Sequence, residues 1–362
     1  ISRLKSQVDT YRPKYAVITD EKKYSEFIKK HGTKIKNTKI YYGVESINNI
    51  IEDNKLDTII AAIVGFACLN PVLTAIKNNK KILVANKEIL VSAGDLIISY
   101  LKKSKSLLLP LDSEHNSLLQ IIVSSGLEYR INDKNYYEKK IQSITLTASG
   151  GPYLDYPIKK LNSIKAKDAV KHPTWKMGKK ISVDSSTMMN KVFEIIEAKN
   201  IFGVNYNKLS ILIHPTSYIH ALIKFKTGLI KLIAHETDMK IPIYNTLEDI
   251  INKKIFTKKI EIEKLNNLDL QNIDKKKFPL TNLLKILPNK ISLFETVIVS
   301  ANDELVNLFL NNKIKFTDIS KQLFKIINNK KFSKFKRISP KNVSQILKLN
   351  NYVRLKINSK SI

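Results

Sequence analysis

Short apolar runs alternate with amphipathic stretches through the first third of the chain. "KYAVITD" (14–20), "LDTIIAAIVG" (56–65), "KKILVA" (80–85) and "KSLLLPLD" (105–112) are brief and rich in branched apolar residues, and they read as buried strands. "EKKYSEFIKK", "VESINNIIED", "NPVLTAIKNN" and "EILVSAGDLIISYLKK" lie between them with apolar residues at helical spacing. Strands that alternate with helices imply right-handed crossovers and a mostly parallel, Rossmann-like sheet. Ligands of such sheets bind beyond the carboxyl ends of the strands. That rule singles out "GF" (65–66), "NKE" (86–88) and "DSE" (112–114), each directly after a strand. The opening stretch "ISRLKSQVDTYRPKY" reads as helix, and no strand with a Gly-rich turn precedes it.

From about residue 141 the pattern changes. "IQSITLTA" reads as a strand that ends in "SGGPY", a polar loop carries "KHPTWKMGKK", and "DSSTMMNKVFEIIEAKNIF" reads as one capped helix. "KLSILIHPTSYIHALIKFK" and "GLIKLIAHE", divided by Thr227-Gly228, read as antiparallel strands. Residues 250–285 are rich in Lys and Asn and read as a linker, followed by amphipathic helices near 292–312, 316–330 and 340–356. The expected organisation is therefore α/β. Residues 1–112 form a Rossmann-like domain whose first βα unit is lacking, 113–249 a central α+β domain, and 286–362 a C-terminal helical domain.

A chain of 362 residues has room for two or three domains. No stretch approaches the roughly 20 uncharged apolar residues of a membrane span, so a soluble protein without a membrane partner is expected. The single cysteine, Cys68, lies in the apolar run "IVGFACL" and reads as a core residue in a reducing compartment. A net charge of +30 invites a polyanion partner. However, only Arg3, Arg12, Arg130, Arg337 and Arg354 are arginines, and the excess is lysine spread along the chain. Bidentate phosphate and base-edge recognition favours arginine, so specific nucleic-acid binding is not expected.

Two motifs carry candidate chemistry. In "LLLPLDSEHNSLLQ", Asp112 and Glu114 stand two apart at a strand end. In extended backbone their carboxylates share a side and can hold a divalent cation; the alternative is that Asp112 or Ser113 caps a helix that begins near Asn116. In "DSSTMMNK" (184–191), Asp184, Ser185, Ser186 and Thr187 are N-cap candidates, and a helix start offers free N–H groups to an anion. Asn190 and Lys191 add donors suited to phosphate. Glu194, at i+3 from Lys191, would oppose a phosphate unless it faces a metal; a capping box on a solvated helix is the plainer reading. Trp175 is either a core anchor or part of a lid. His214 and His220, taken singly, read as structural.

"ANKEILVSAG" (85–94), "PLDSEHNSLLQ" (110–120), "TASGGPY" (147–153), "HPTWKMGKKISVDSSTMMNKVFEIIEA" (172–198), "IHPTSYIHALI" (213–223) and "DMKIPI" (238–243) together resemble the 1-deoxy-D-xylulose 5-phosphate reductoisomerase family in content, order and spacing. The resemblance spans nearly the whole chain, weakens after about 250 and returns in "SANDELVNLFLNNKIKFTDI" (300–319). It implies NADPH-dependent rearrangement and reduction of 1-deoxy-D-xylulose 5-phosphate to 2-C-methyl-D-erythritol 4-phosphate. It also implies a homodimer, in a bacterial cytoplasm or a plastid-type organelle. Carried onto this chain, it makes Asp112, Glu114 and Glu194 ligands of Mg²⁺ or Mn²⁺, with Co²⁺ a third option. Ser149, His172, Ser185, Asn190 and Lys191 hold the substrate phosphate, and Ser113 and Lys87 its carbon chain. Trp175 and Met177 belong to a lid, and His220 lies near the reacting end. Gly65, Asn86, Glu88 and Gly178 fall on the cofactor side.

The chain departs from the family pattern at three places. The G-x-T-G-x-x-G turn that cradles the NADPH pyrophosphate would precede Ile1, so weak NADPH binding is expected of the chain as it stands. "KLIAHETDMKIPI" (231–243) replaces a more neutral, Gly-containing stretch, with Lys240 in place of an arginine, and 255–298 is hard to align. Two other readings compete: a metal-dependent phosphosugar aldolase or isomerase that needs no hydride donor, and a polyanion-binding protein built on a degraded enzyme.

Overall fold

The computed structural model describes residues 1–172, 174–175, 177–247 and 254–359. After helix α1 (Ser2–Tyr11) come β1 (Tyr15–Ile18), α2 (Glu21–His31), β2 (Lys34–Ile35), β3 (Thr38–Tyr42) and α3 (Val44–Ile51). Asp20 caps α2 by accepting from the Lys23 N–H at 2.8 Å. β1 and β3 pair in parallel, while β2 folds back on β3 as an antiparallel hairpin. The second half has β4 (Thr58–Ala61), α4 (Leu69–Lys77), β5 (Lys81–Val84), α5 (Lys87–Leu101) and β6 (Leu107–Pro110), with β4, β5 and β6 all parallel. The expected single sheet is thus two three-stranded sheets, in the orders β1-β3-β2 and β4-β5-β6.

The hairpin at 34–42 has no counterpart in the apolar pattern. Only Ile35, Thr38 and Ile40 of it are buried, too few for a readable run, and Lys36 makes the turn with φ 51°. These residues close a small separate core with Val8, Ile18 and Phe27.

The central unit follows with α6 (Ser113–Ser124), α7 (Lys134–Lys140), β7 (Ile141–Ala148), the short α8 (Ala166–Ala169), α9 (Lys179–Ser186), α10 (Met189–Phe202), β8 (Leu209–Ile213), β9 (Ile219–Phe225) and β10 (Ile230–Ala234). The strand order is β10-β9-β7-β8. β9 is antiparallel to β7 and β10 as anticipated, and β8 runs parallel to β7. The single helix expected from Asp184 onward is two. α9 ends at Ser186, Met188 takes a left-handed φ of 63°, and α10 starts at Met189. Asp184, Ser185 and Ser186 therefore lie in the last turn of α9 rather than capping α10.

Every residue of α10 except Asn190 is buried. This helix runs through the main core, which joins the β4–β6 sheet to the C-terminal helices. Those are α13 (Leu293–Leu310), α14 (Phe316–Asn328), the short α15 (Lys330–Ser333) and α16 (Val343–Asn358), and α11 (Lys240–Leu247) and α12 (Ile262–Asn266) precede them. A Ser292–Glu295 capping box starts α13. The expected boundary between 249 and 250 lies outside the described residues. The end of the expected linker is not loose, because Phe278, Leu280 and Leu283 are buried in the core. Among the described residues no helix is long and apolar enough to cross a membrane.

Candidate active site

β5 and β6 deliver the first groups. Beyond β5, Asn86 caps α5 by accepting from the Ile89 N–H at 3.1 Å, which sets Lys87 at the helix start. Beyond β6, Asp112 occupies the N-cap position of α6 but caps nothing with its side chain. Asp112 and Glu114 converge because the chain turns into a helix between them, not because it stays extended. Glu194 comes from α10. One carboxylate oxygen from each of Asp112, Glu114 and Glu194 lies within 4.8 Å of the others.

Two ammonium groups thread this acidic cluster. Lys87 Nζ lies 2.6 Å from Asp112 Oδ2 and 3.0 Å from Glu194 Oε1, and donates to Asn190 Oδ1 at 2.9 Å. Lys191 Nζ lies 2.5 Å from Glu114 Oε1 and also contacts Glu194 Oε2, while Asn190 donates to Glu194 Oε1. Burial and the adjacent Glu194 push the Glu114 carboxyl up to about 8. Burial works in the same direction on Asp112, but Lys87 and His115 overcome it and hold that carboxyl well below its ordinary range. Three clustered carboxylates, of which Glu114 resists ionisation, form a donor set whose charge a divalent cation would balance. All are hard oxygen ligands, which suits Mg²⁺ or Mn²⁺.

Behind the carboxylates, His115 is fully buried, with Nε2 2.9 Å from the Glu194 carbonyl oxygen and Nδ1 3.7 Å from Glu197 Oε2. Burial raises Glu197 to about 7. The motif reading did not reach this pair. Its one sequence signal is that His115 and Glu197 each stand one helical step from a proposed ligand.

A donor cluster adjoins the triad. The His172 Nδ1 accepts from the backbone N–H groups of Trp175 (3.0 Å) and Thr174 (3.2 Å), so its proton sits on Nε2, 3.0 Å from Ser185 Oγ and 3.2 Å from Ser149 Oγ. Burial, with Lys191 nearby, lowers the His172 pKa to about 4. Gly151, at φ 67°, donates its N–H to Ser149 Oγ at 3.0 Å.

The carboxylates, the two lysines and the donor cluster face one cavity of about 310 Å³. It brings together Lys87, Asp112, Ser113, Glu114, Ser149, His172, Trp175, Met177, Gly178, Ser185, Asn190, Lys191, Glu194 and His220. Ser113 Oγ donates to Glu114 Oε2 at 2.5 Å. The His220 ring has Trp175 at its edge (6.1 Å) and the His235 ring stacked on it at 3.8 Å. Burial, reinforced by His235, holds its pKa well below the usual value, and its Nε2–H donates to the His235 carbonyl at 3.1 Å.

Gly65, Asn86 and Glu88 do not line this cavity. Gly65 (φ 70°) begins the turn after β4, and Asn86 donates to its carbonyl oxygen at 2.8 Å. Glu88 is ion-paired with Lys180 at 2.8 Å, within a cluster that includes Asp184 and Asp303. His214 is buried and hydrogen-bonded away from the cavity, to Thr216 and the Asp269 carbonyl. The lining residues Thr147, Met188, Ser217 and Met239 lie inside the quoted motifs but were given no role there, because none carries a charge or an imidazole that would single it out.

Comparison with known proteins gives a consistent picture. Profiles of the 1-deoxy-D-xylulose 5-phosphate reductoisomerase match residues 1–94, its C-terminal domain profile matches 108–202, and the DXP reductoisomerase C-terminal domain profile matches 235–356. A 1-deoxy-D-xylulose 5-phosphate reductoisomerase of Pelagibacter ubique (strain HTCC1062) is 48% identical, over 99% of this chain and 90% of its own length. That of Wigglesworthia glossinidia brevipalpis is 36% identical, over 98% and 88%. A crystal structure of DOX-P reductoisomerase with NADPH, fosmidomycin and magnesium superposes with a TM-score of 0.91 at 32% identity, covering 99% of this chain and 88% of that one. The Zymomonas mobilis enzyme with NADPH gives a TM-score of 0.83 at 29% identity, covering 98% and 87%.

Proposed function

Since the chain belongs to the 1-deoxy-D-xylulose 5-phosphate reductoisomerase family, we propose that the carboxylate triad and the donor cluster beside it are the catalytic centre. The protein converts 1-deoxy-D-xylulose 5-phosphate to 2-C-methyl-D-erythritol 4-phosphate with NADPH and a divalent metal, in the non-mevalonate route to isoprenoids. Asp112, Glu114 and Glu194 would hold Mg²⁺, which supplies a Lewis acid; NADPH, at the carboxyl edge of β4–β6 near Gly65, Asn86 and Gly178, supplies the hydride.

The chain's own residues do the rest. Ser149, His172, Ser185, Asn190 and Lys191 bind the phosphate through hydroxyl, imidazole, amide and ammonium donors. A remote anchor of this kind fixes the carbon chain for the rearrangement. Lys87 and Ser113 orient the substrate hydroxyls, and Lys87 balances the charge of Asp112. His220, neutral and with Nε2 engaged by the His235 carbonyl, leaves Nδ1 as its free acceptor for the substrate. Trp175 and Met177 exclude water from the aldehyde.

One observation carries this reading: a cavity of about 310 Å³ joins three carboxylates within 4.8 Å to a hydroxyl-imidazole-ammonium cluster. The test is NADPH oxidation by the purified protein, which should require both substrate and Mg²⁺. Metal-dependent rearrangement of the sugar without NADPH consumption would favour the hydride-independent alternative. A homodimer in a reducing, cytoplasmic compartment completes the proposal. Its support is the exposed Ile230 and Leu232 on edge strand β10, with Leu229 just before it, and the buried, unpaired Cys68. Sedimentation of Leu232→Lys as a monomer beside a dimeric parent is expected.

A further inference from the structure

A second cavity, of about 600 Å³, lies at the other end of α10. Its Gly203 edge is about 13 Å along the helix axis from Glu194, at roughly 1.5 Å per residue. Lys134, Lys199 and Lys290 line it with Tyr206 and the amides of Asn207 and Asn289, and no described lining residue is a carboxylate.

Lys199 is the informative residue. It is only 8% exposed, and its ammonium has no hydrogen bond or ion pair among the described residues; its contact is the Tyr206 ring, 5.0 Å away. Burial pulls its pKa down, offset only in part by Glu295 and Asp95 from beyond ion-pair distance. The Tyr206 hydroxyl is also buried without a partner. Lys199 is not needed to finish the helix, because the Asn132 N–H donates to the Ile201 carbonyl at 2.6 Å, Asn132 Nδ2 to that of Asn200 at 3.0 Å, and the Gly203 N–H to that of Lys199 at 2.8 Å. A largely desolvated ammonium without an acceptor is costly unless an anion completes it. Lys134, Lys199 and Lys290 share one opening.

We propose that this cavity binds a phosphorylated small molecule, with its phosphate on Lys199 and with Lys134 and Lys290 at the mouth. Phosphate combines negative charge with several acceptor oxygens, which a set of lysine donors recognises. The cavity is larger than the catalytic one and leaves room for an organic group against Asn207 and Asn289.

Lys199 itself gives a readout independent of the catalytic phosphate site. In the full-length protein with Mg²⁺, the acetylation rate of Lys199 is followed by peptide mass spectrometry with inorganic phosphate, inorganic diphosphate or ribose 5-phosphate present. Protection of the Lys199 amine is expected. Calorimetry should show one diphosphate or sugar-phosphate isotherm weakened about tenfold by Lys199→Gln and kept by Lys199→Arg, in line with the loss of a charged hydrogen bond. Turnover should be unchanged in both variants. Stronger protection by ribose 5-phosphate than by either inorganic ion assigns the site to an organic phosphate, and equal protection assigns it to the free ion. Absence of protection by all three, or isotherms that Lys199→Gln leaves unchanged, overturns the proposal.

Discussion

Glu194 is the residue on which both halves of the proposed catalytic site depend. One oxygen meets Lys87 and Asn190, the other meets Lys191, and the group stands within the carboxylate triad. Glu194→Gln keeps the volume and removes the charge. Because Lewis-acid assistance is worth several kcal/mol, kcat should fall by about 10²-fold or more. Circular dichroism should be unchanged, and raising Mg²⁺ should recover part of the loss. Full turnover at ordinary Mg²⁺ would remove Glu194 from the metal site. His172 gives a pH prediction. Its folded-state pKa is depressed from 6.5 to about 4, so its contribution is complete above 6.5 and is lost as pH falls through about 4. Protonation puts a hydrogen on Nδ1, which now accepts from Thr174 and Trp175. Substrate affinity and the order of residues 174–175 should therefore fail together as pH falls through about 4, as read by imidazole NMR and KM. These residues could be read from the sequence because each belongs to a dense polar motif. His235 could not, since only the pairing of β10 with β9 stacks it on His220.

At the scale of elements, the junction between β7 and α9 shows how backbone conformation builds the donors proposed to bind phosphate. Gly151 has φ 67°, and a Cβ there would meet the Ser185 carbonyl oxygen and the Ser186 Cα, each at 3.1 Å. Gly151→Ala is expected to cost about 1–2 kcal/mol from the left-handed conformation alone. It should also push α9 away from β7 and separate Ser185 from Ser149. Urea unfolding should show the first effect, and a KM increase larger than the kcat decrease the second. An unchanged KM would detach this turn from substrate binding. The β–α alternation of 14–112 was readable because β1, β4, β5 and β6 lie in continuous apolar runs, which the 34–42 hairpin lacks. The break between α9 and α10 was not. "DSST" has the composition of an N-cap, and local propensity cannot reveal that these residues instead close α9, where Asp184 is drawn to Lys180 and Asn302. Ser185, Asn190, Lys191 and Glu194 nevertheless face one cavity.

The whole molecule is tied together by one ammonium. Lys180, on α9, lies 2.8 Å from Glu88 of α5, 3.2 Å from Asp184 and 2.9 Å from Asp303 of α13, and Asp303 in turn meets Arg354 of α16 at 2.8 Å. No spacing in the sequence joins residues 88, 180, 303 and 354, so the cluster was invisible until the fold assembled it. Burial disfavours the Lys180 ammonium, but its three carboxylates outweigh that and raise its pKa. Burial and Glu88 act the other way on Asp303, whose pKa stays raised despite Lys180. The cluster is rich in carboxylates, and removal of the cation leaves them facing one another. Breaking a buried pair in this way costs about 3–5 kcal/mol, so Lys180→Met should lower the unfolding free energy by about that amount. Glu88 directly follows Lys87, and α9 carries Ser185, so the same change should disturb the carboxylate triad and the donor cluster together. The expected signature is a fall in kcat with a rise in KM, and Lys180→Arg should restore stability more fully than KM, because a guanidinium keeps the charge but not the point geometry. A destabilised Lys180→Met variant with parental kcat and KM would show that the C-terminal helices stabilise the site without positioning it.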